Sequence, residues 1–113
     1  MMRGNVEIEI LFFEGCPNRG AALERAREAV ALEGVAANVR MVEILGTEDA
    51  IARRFLGSPT IQVEGEDVEP EARLRRDFGF MCRTYGASDD SVAGTPSVEL
   101  IAAAIKSRLS AKS

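Results

Sequence analysis

Residues 6–17 have the sequence VEIEILFFEGCP. Apolar and acidic residues alternate over the first part of this stretch, and the positions up to residue 13 are then all apolar. The pattern predicts a strand over 6–13 that is half-exposed at its start and buried on both faces at its end. Gly15 and Pro17 break the strand, and strong helix formers follow over 18–33. The sequence therefore predicts a strand that leads directly into a helix.

The remainder of the chain predicts three more strands and two more helices. The predicted strands span 38–44, 59–63 and 67–69, a short helix is capped by Thr47 and ended by Gly57, and the last helix opens at Thr95-Pro96. An irregular segment is expected over about 71–94. The order β-α-β-α-β-β-α predicts one α/β domain over 1–113, with a mixed four-stranded sheet and helices on both faces. The first strand is expected to be central because it is the most apolar.

The net charge and the first residues of the chain argue against several classes of protein. The chain has 113 residues, with 14 basic and 18 acidic side chains and a net charge of −4. This balance argues against binding to nucleic acid or to an anionic membrane surface, since both need a positive field. Residues 1–5 lead straight into the first strand without an apolar signal stretch, so we expect a cytoplasmic protein.

Histidine is absent, and the two cysteines are Cys16 and Cys82. The absence of histidine removes triads that use this residue, and the usual zinc sites with it. Two cysteines are too few for a disulfide scaffold or a four-thiolate centre, and we expect no bound metal. If the protein performs covalent chemistry, sulfur is the leading candidate.

Cys16 stands where the buried strand gives way to the helix. A helix N-terminus presents unpaired amides and partial positive charge, which favour the thiolate form of a nearby cysteine. Pro17 suits the first helical turn, and Arg19 adds a positive charge within reach of the sulfur. The pattern favours a reactive thiol, and the alternative is that Cys16 is a small buried apolar residue.

The strand, the segment Phe13-Glu14-Gly15-Cys16-Pro17, the helix, and Gly57-Ser58-Pro59-Thr60 before the third strand together resemble the thioredoxin and glutaredoxin superfamily. The resemblance covers nearly the whole chain. It is strongest to small bacterial thioredoxin-like proteins, some of which are labelled as related to alkylmercury lyase. The resemblance implies a thioredoxin-like fold, with a cis peptide bond before Pro59 and the backbone of Ser58, Pro59 and Thr60 forming the substrate groove beside Cys16.

The sequence departs from the dithiol members of that superfamily at Arg19, which stands where they carry a second cysteine. A disulfide within the helix turn is therefore excluded, and two mechanisms remain. In the monothiol mechanism Cys16 attacks a mixed disulfide and glutathione, as a co-substrate, releases the adduct. In the other mechanism Cys82 acts as a distant resolving thiol. The alternative for Cys82 is a core position. No bound cofactor is expected, and the expected partner is a thiol or disulfide of a protein or a small molecule.

Two further functions stay open at this point. Cys16 and Cys82 together suit a soft metal ion or an organomercurial, bound between two thiolates. The missing second active-site cysteine instead favours a binding module that has kept the fold without catalysis.

The sequence also contains a basic cluster, formed by Arg73, Arg75, Arg76 and Arg83. Guanidinium groups in such a cluster could hold the carboxylates of glutathione or of an acidic partner. We favour the simpler interpretation, a solvated surface with weak ion pairs to neighbouring acids.

Overall fold

The computed structural model describes residues 6–79 and 95–112 of the chain. Its elements follow the predicted order, with one short 3₁₀ helix added. They are β1 Val6–Phe12, α1 Arg19–Glu33, β2 Ala37–Glu43, α2 Thr47–Ala52, β3 Thr60–Val63, β4 Glu66–Asp67, the 3₁₀ helix Pro70–Leu74 and α3 Val98–Lys112. Within the described part of the chain, no helix has the length and apolar character needed to cross a bilayer.

The four strands form one mixed sheet in the order β2-β1-β3-β4. β1 runs parallel to β2 over its whole length and antiparallel to β3, and β3 runs antiparallel to β4. The predicted parallel pair, the predicted hairpin and the central place of the first strand are confirmed. Because β1 pairs on both sides, the residues that follow it lie between the ends of two neighbouring strands.

Helices cover both faces of the sheet, as predicted. On one face Ile8 and Ile10 of β1 pack with α1 and α3 in the larger cluster of buried residues. On the other face Leu11 packs with Ala50 of α2 and with Phe55. This division follows from β1 itself, since successive side chains of a strand point to opposite faces.

The spacing of Leu23, Ala26 and Val30 in the sequence predicts a buried face of α1 that differs by about one position from the observed face. The structure buries the alanines at positions 22, 26 and 29, and Leu23 and Val30 pack only partly against the cluster. A stripe of alanines lets α1 approach its neighbours closely, and the longer side chains cover the flanks. Gly34 ends the helix in the left-handed conformation, with φ 66°.

The hairpin turn is formed by Glu64 and Gly65, which have φ of 56° and 85°. Two consecutive positive φ values are the pattern of the tight turns that join twisted antiparallel strands. The predicted strand 67–69 is wrong in its bounds, because β4 ends at Asp67. The carboxylate of Asp67 accepts a hydrogen bond from the amide of Glu69 at 2.9 Å, which turns the chain out of the strand.

Both predicted bounds of the short helix are wrong. Thr47 is its first helical residue rather than its cap, and Gly46 takes the cap position without a side-chain hydrogen bond. The amide of Leu45 is instead bound by the carboxylate of Asp49, at 3.0 Å. The helix ends at Ala52 rather than at Gly57, since Arg54 adopts a left-handed φ of 58°.

The last helix is capped by Ser97, two residues after the predicted cap Thr95. The Ser97 hydroxyl accepts a hydrogen bond from the amide of Leu100 at 3.0 Å, which is the contact of an N-cap with the third helical residue. Thr95 and Pro96 precede the helix and are buried, with the carbonyl of Pro96 accepting a hydrogen bond from Arg25 on α1 at 3.2 Å. The contact with α1 fixes Pro96 outside the helix.

Replacing Ser97 with alanine should reduce the free energy of unfolding by about 1 kcal/mol, because one amide at the start of α3 loses its acceptor. Urea denaturation measures the change. Ser107→Ala, on an exposed position of the same helix, is the matched control and should cause no loss. Equal effects of the two variants would contradict the cap assignment.

Candidate active site around Cys16

Cys16 follows β1 at the end of a β-turn. Its amide donates a hydrogen bond to the carbonyl of Phe13 at 3.1 Å, and Gly15, the third residue of the turn, has φ 88°. A positive φ at this position is the pattern of a type II turn, which favours glycine. The turn delays the helix, so that α1 begins at Arg19 and Pro17 lies before the cap residue Asn18. The prediction that Pro17 occupies the first helical turn is therefore wrong by about two residues.

Only 4% of the surface of Cys16 is exposed, whereas Gly15 and Pro17 on either side of it are exposed. Cys16 is a free cysteine. The turn thus directs the Cys16 side chain into the protein and leaves the neighbouring backbone on the surface.

The three predicted groove residues, Ser58, Pro59 and Thr60, lie where the chain enters β3, and all three are buried. The Ser58–Pro59 peptide bond is cis, which confirms the sequence prediction. The hydroxyl of Thr60 donates a hydrogen bond to the carbonyl of Gly57 at 2.6 Å, across this bend.

Phe13 connects the Cys16 turn to this bend. Its carbonyl accepts from the Cys16 amide, and its own amide lies 3.4 Å from the hydroxyl oxygen of Ser58, which accepts a long hydrogen bond. Its ring meets that of Phe55 edge to face, with 6.3 Å between the centroids. The backbone of one residue therefore joins Cys16 to Ser58, at one end of the sheet. No residue pattern in the sequence indicates this role of Phe13, which is predicted only as the last residue of an apolar strand.

The guanidinium of Arg19 lies over the ring of Phe12, with 5.1 Å between the guanidinium carbon and the ring centroid. This is within the range of a cation–π interaction. The contact holds the positive charge at the first residue of α1, beside the last residue of β1. The predicted contribution of Arg19 to a thiolate at position 16 stays a prediction.

Replacing Arg19 with glutamate should slow the alkylation of Cys16 by iodoacetamide at neutral pH by about two- to fivefold. A charge near a helix terminus contributes about 0.3–1 kcal/mol, and a carboxylate there opposes the reactive thiolate. Peptide-resolved mass spectrometry separates the rate at Cys16 from that at Cys82. Arg27→Glu makes the same charge change two turns further along α1 and should leave the rate near that of the wild type. Equal rates in the wild type and both variants would contradict the role of Arg19.

Cys82 and Arg83 lie outside the described residues, so the role of Cys82 as a resolving thiol for Cys16 stays a prediction. Arg75 forms two hydrogen bonds to the carboxylate of Asp77, at 3.0 and 2.7 Å. Arg73 donates to the carbonyl of Asp67 at 2.8 Å. The ion pairs Arg75–Asp77 and Arg73–Glu66, the latter at 3.9 Å, fit the interpretation of weak ion pairs to neighbouring acids for these two arginines.

In residues 6–79 and 95–112, no three histidine, cysteine, aspartate or glutamate side chains come together in a way that could hold a metal ion. Of the two thiols considered for a soft metal, the structure describes Cys16 alone. Comparison with known proteins found no matching family model, no matching curated protein and no matching solved structure.

Proposed function

We propose that this protein is a thiol–disulfide oxidoreductase of thioredoxin-like fold, with Cys16 as the attacking thiol. The element order, the sheet order β2-β1-β3-β4 and the helices on both faces support the proposed fold. The position of Cys16 between the central strand and α1 supports its proposed role. Cys16 lies three residues before the first residue of the 15-residue helix α1, and the N-terminus of a helix carries partial positive charge.

The observation that carries the proposal is the pair of backbone contacts made by Phe13, to Cys16 and to Ser58. A disulfide substrate needs more than a sulfur nucleophile, because its own chain must be held while the sulfur is attacked. The bend at Ser58, Pro59 and Thr60 is the proposed groove for that chain. Phe13 is hydrogen-bonded both to the Cys16 turn and to this bend. We therefore expect the distance between Cys16 and the groove to be fixed.

In the proposed reaction the Cys16 thiolate attacks the glutathione sulfur of a glutathionylated protein. The original disulfide breaks, the protein leaves as a thiolate that takes up a proton, and a disulfide forms between Cys16 and glutathione. The thiolate of a second glutathione then attacks the glutathione sulfur of this adduct, which frees Cys16 and releases oxidised glutathione. Arg19 at the start of α1 stabilises the thiolate each time it is freed. The supply of reduced glutathione that this reaction needs is that of a reducing, cytoplasmic compartment.

The low exposure of Cys16, 4%, favours a second candidate function, a binding module without thiol chemistry. An attacking sulfur must reach the disulfide of its substrate, and structural buried cysteines are inert. In that case the bend at Ser58–Pro59 would still receive a peptide, and Cys16 would serve only to fill space beneath the turn.

A turnover assay separates the two functions. The substrate is a glutathionylated peptide, the reductant is glutathione, and oxidised glutathione is followed through glutathione reductase. If Cys16 is the attacking thiol, the protein should form oxidised glutathione faster than the same mixture without protein. No increase in rate with fully folded protein would overturn the proposal. Cys82→Ser decides between the two thiol mechanisms: retained turnover indicates the monothiol route, and lost turnover indicates that Cys82 resolves the adduct.

A further inference from the structure

A cleft of about 220 Å³ lies away from the Cys16 turn, between the β3–β4 hairpin, the turn that follows α2 and Phe78. Gln62 lines it from β3, and since the neighbouring Ile61 packs with α1 and α3, Gln62 faces the opposite side of the sheet. Leu56, which is 3% exposed, contributes an apolar wall. The proposed thiol chemistry uses none of these residues.

Gln62 is a largely buried polar side chain whose amide oxygen is open on the side of the cleft. It is 6% exposed, and its amide nitrogen donates to the carbonyl of Arg53 at 3.0 Å. Because that carbonyl can only accept, the nitrogen end of the amide must face it, and Oε1 is at the other end. Within the described part of the chain no donor is bonded to Oε1. The oxygen is not fully enclosed by the protein, so a ligand in the cleft that donates a hydrogen bond can reach it.

Two guanidinium groups border the cleft and are fixed by backbone carbonyls. Arg54 donates to the carbonyl of Arg73 at 3.2 Å and lies over the ring of Phe78 at 5.3 Å. Arg73 donates through Nε to the carbonyl of Asp67 at 2.8 Å. Within the described residues Arg54 has no carboxylate partner. Each guanidinium has five N–H donors, and these contacts leave several available to an anionic ligand.

Two carboxylates also line the cleft, those of Asp67 and Glu66. Asp67 is buried, and its carboxylate accepts a hydrogen bond from the amide of Glu69. The Oε1 of Glu66 lies 3.9 Å from Arg73 and 3.5 Å from Arg108, and this side chain is about half exposed, at 48%. Exposed ion pairs at these distances contribute little to stability. A purely anionic ligand would meet repulsion from Glu66, whereas a ligand with both charges would be matched at each end.

We infer that this cleft binds a free, small apolar α-amino acid. Its carboxylate accepts hydrogen bonds from Arg54 and Arg73. Its ammonium group donates to Oε1 of Gln62 and to the carboxylate of Glu66. Its side chain lies against Leu56. The inference does not depend on the proposed thiol chemistry, because the two sites share no residues.

Isothermal titration calorimetry tests this with three matched compounds. L-leucine carries both charges, L-leucinamide lacks the carboxylate, and 4-methylpentanoate lacks the ammonium group. We expect L-leucine to bind and each of the other compounds to bind about tenfold or more weakly, since each lacks a charge-assisted contact. Arg54→Gln should weaken L-leucine binding by about tenfold, and Arg53→Gln should leave it unchanged. Arg53 is the matched control because its side chain pairs with Asp49 outside the cleft.

Three results would overturn the inference. The first is no heat of binding with L-leucine at millimolar concentration. The second is equal binding of 4-methylpentanoate, which would indicate a simple anion site. The third is equal loss of binding in Arg54→Gln and Arg53→Gln. Each variant changes one exposed side chain, and circular dichroism verifies that the folded state is retained.

Discussion

Replacing Phe55 with alanine should reduce the free energy of unfolding by about 3–5 kcal/mol. Phe55 is fully buried and is the largest side chain of the cluster that α2 forms against the sheet with Leu11 and Ile44. Its ring meets that of Phe13 edge to face, an arrangement that contributes beyond the area buried. Removing the ring leaves a cavity beneath the residue that joins Cys16 to Ser58.

Urea denaturation measures this loss, and Leu45→Ala is its control. Leu45 is a large apolar residue close in sequence but 77% exposed, so its replacement should change stability by about 0.5 kcal/mol or less. Phe55→Ala should also speed the alkylation of Cys16, because the turn that buries Cys16 loses its packed support. If Phe55→Ala reduces the free energy of unfolding by less than about 1 kcal/mol, Phe55 is not a core residue of the cluster that α2 forms against the sheet.

Replacing Cys16 with serine should remove catalysed turnover of a glutathionylated peptide entirely. Disulfide exchange requires a sulfur that attacks and then becomes part of the new disulfide, and a serine hydroxyl cannot take either part. Serine is close to cysteine in size, so the turn and the contacts of Phe13 should be retained. Turnover equal to that of the wild type in Cys16→Ser would contradict the role of Cys16, whatever its effect on stability.

The strand and sheet pattern could be predicted because it depends on local periodicity. The alternation at 6–10 set the two faces of β1, so that Ile8 and Ile10 lie in one cluster and Leu11, in the apolar part that follows, lies in the other. Gly34 was predictable as a helix end because a left-handed residue there favours glycine. Such features depend on a few adjacent residues and need no knowledge of distant contacts.

The helix starts could not be predicted from residue type alone. Thr47 and Thr95 both have the hydroxyl of a good cap, yet neither caps its helix. At α3 the carbonyl of Pro96 is held by Arg25, 71 residues away in sequence, and Ser97 becomes the cap instead. Contacts of this kind depend on tertiary packing, which overrides local preference.

The candidate sites were predictable to different degrees. The position of Cys16 between strand and helix followed from the sequence, but its burial did not, because the β-turn from Phe13 depends on the backbone geometry of Gly15. Gln62 gave no signal as part of a cleft. A glutamine inside a short apolar strand of alternating pattern suggests an exposed face, and its burial results from Arg53 and the turn after α2.

The role of Cys16 as the attacking thiol is tested most directly by trapping its adduct with glutathione. Cys82→Ser protein is mixed with a glutathionylated peptide in the absence of free glutathione, quenched with acid and mapped by mass spectrometry under non-reducing conditions. We expect a disulfide between glutathione and Cys16, together with release of the peptide as a free thiol. An unmodified Cys16 in the folded protein, under conditions in which the urea-unfolded protein reacts, would contradict the role of Cys16 as the attacking thiol.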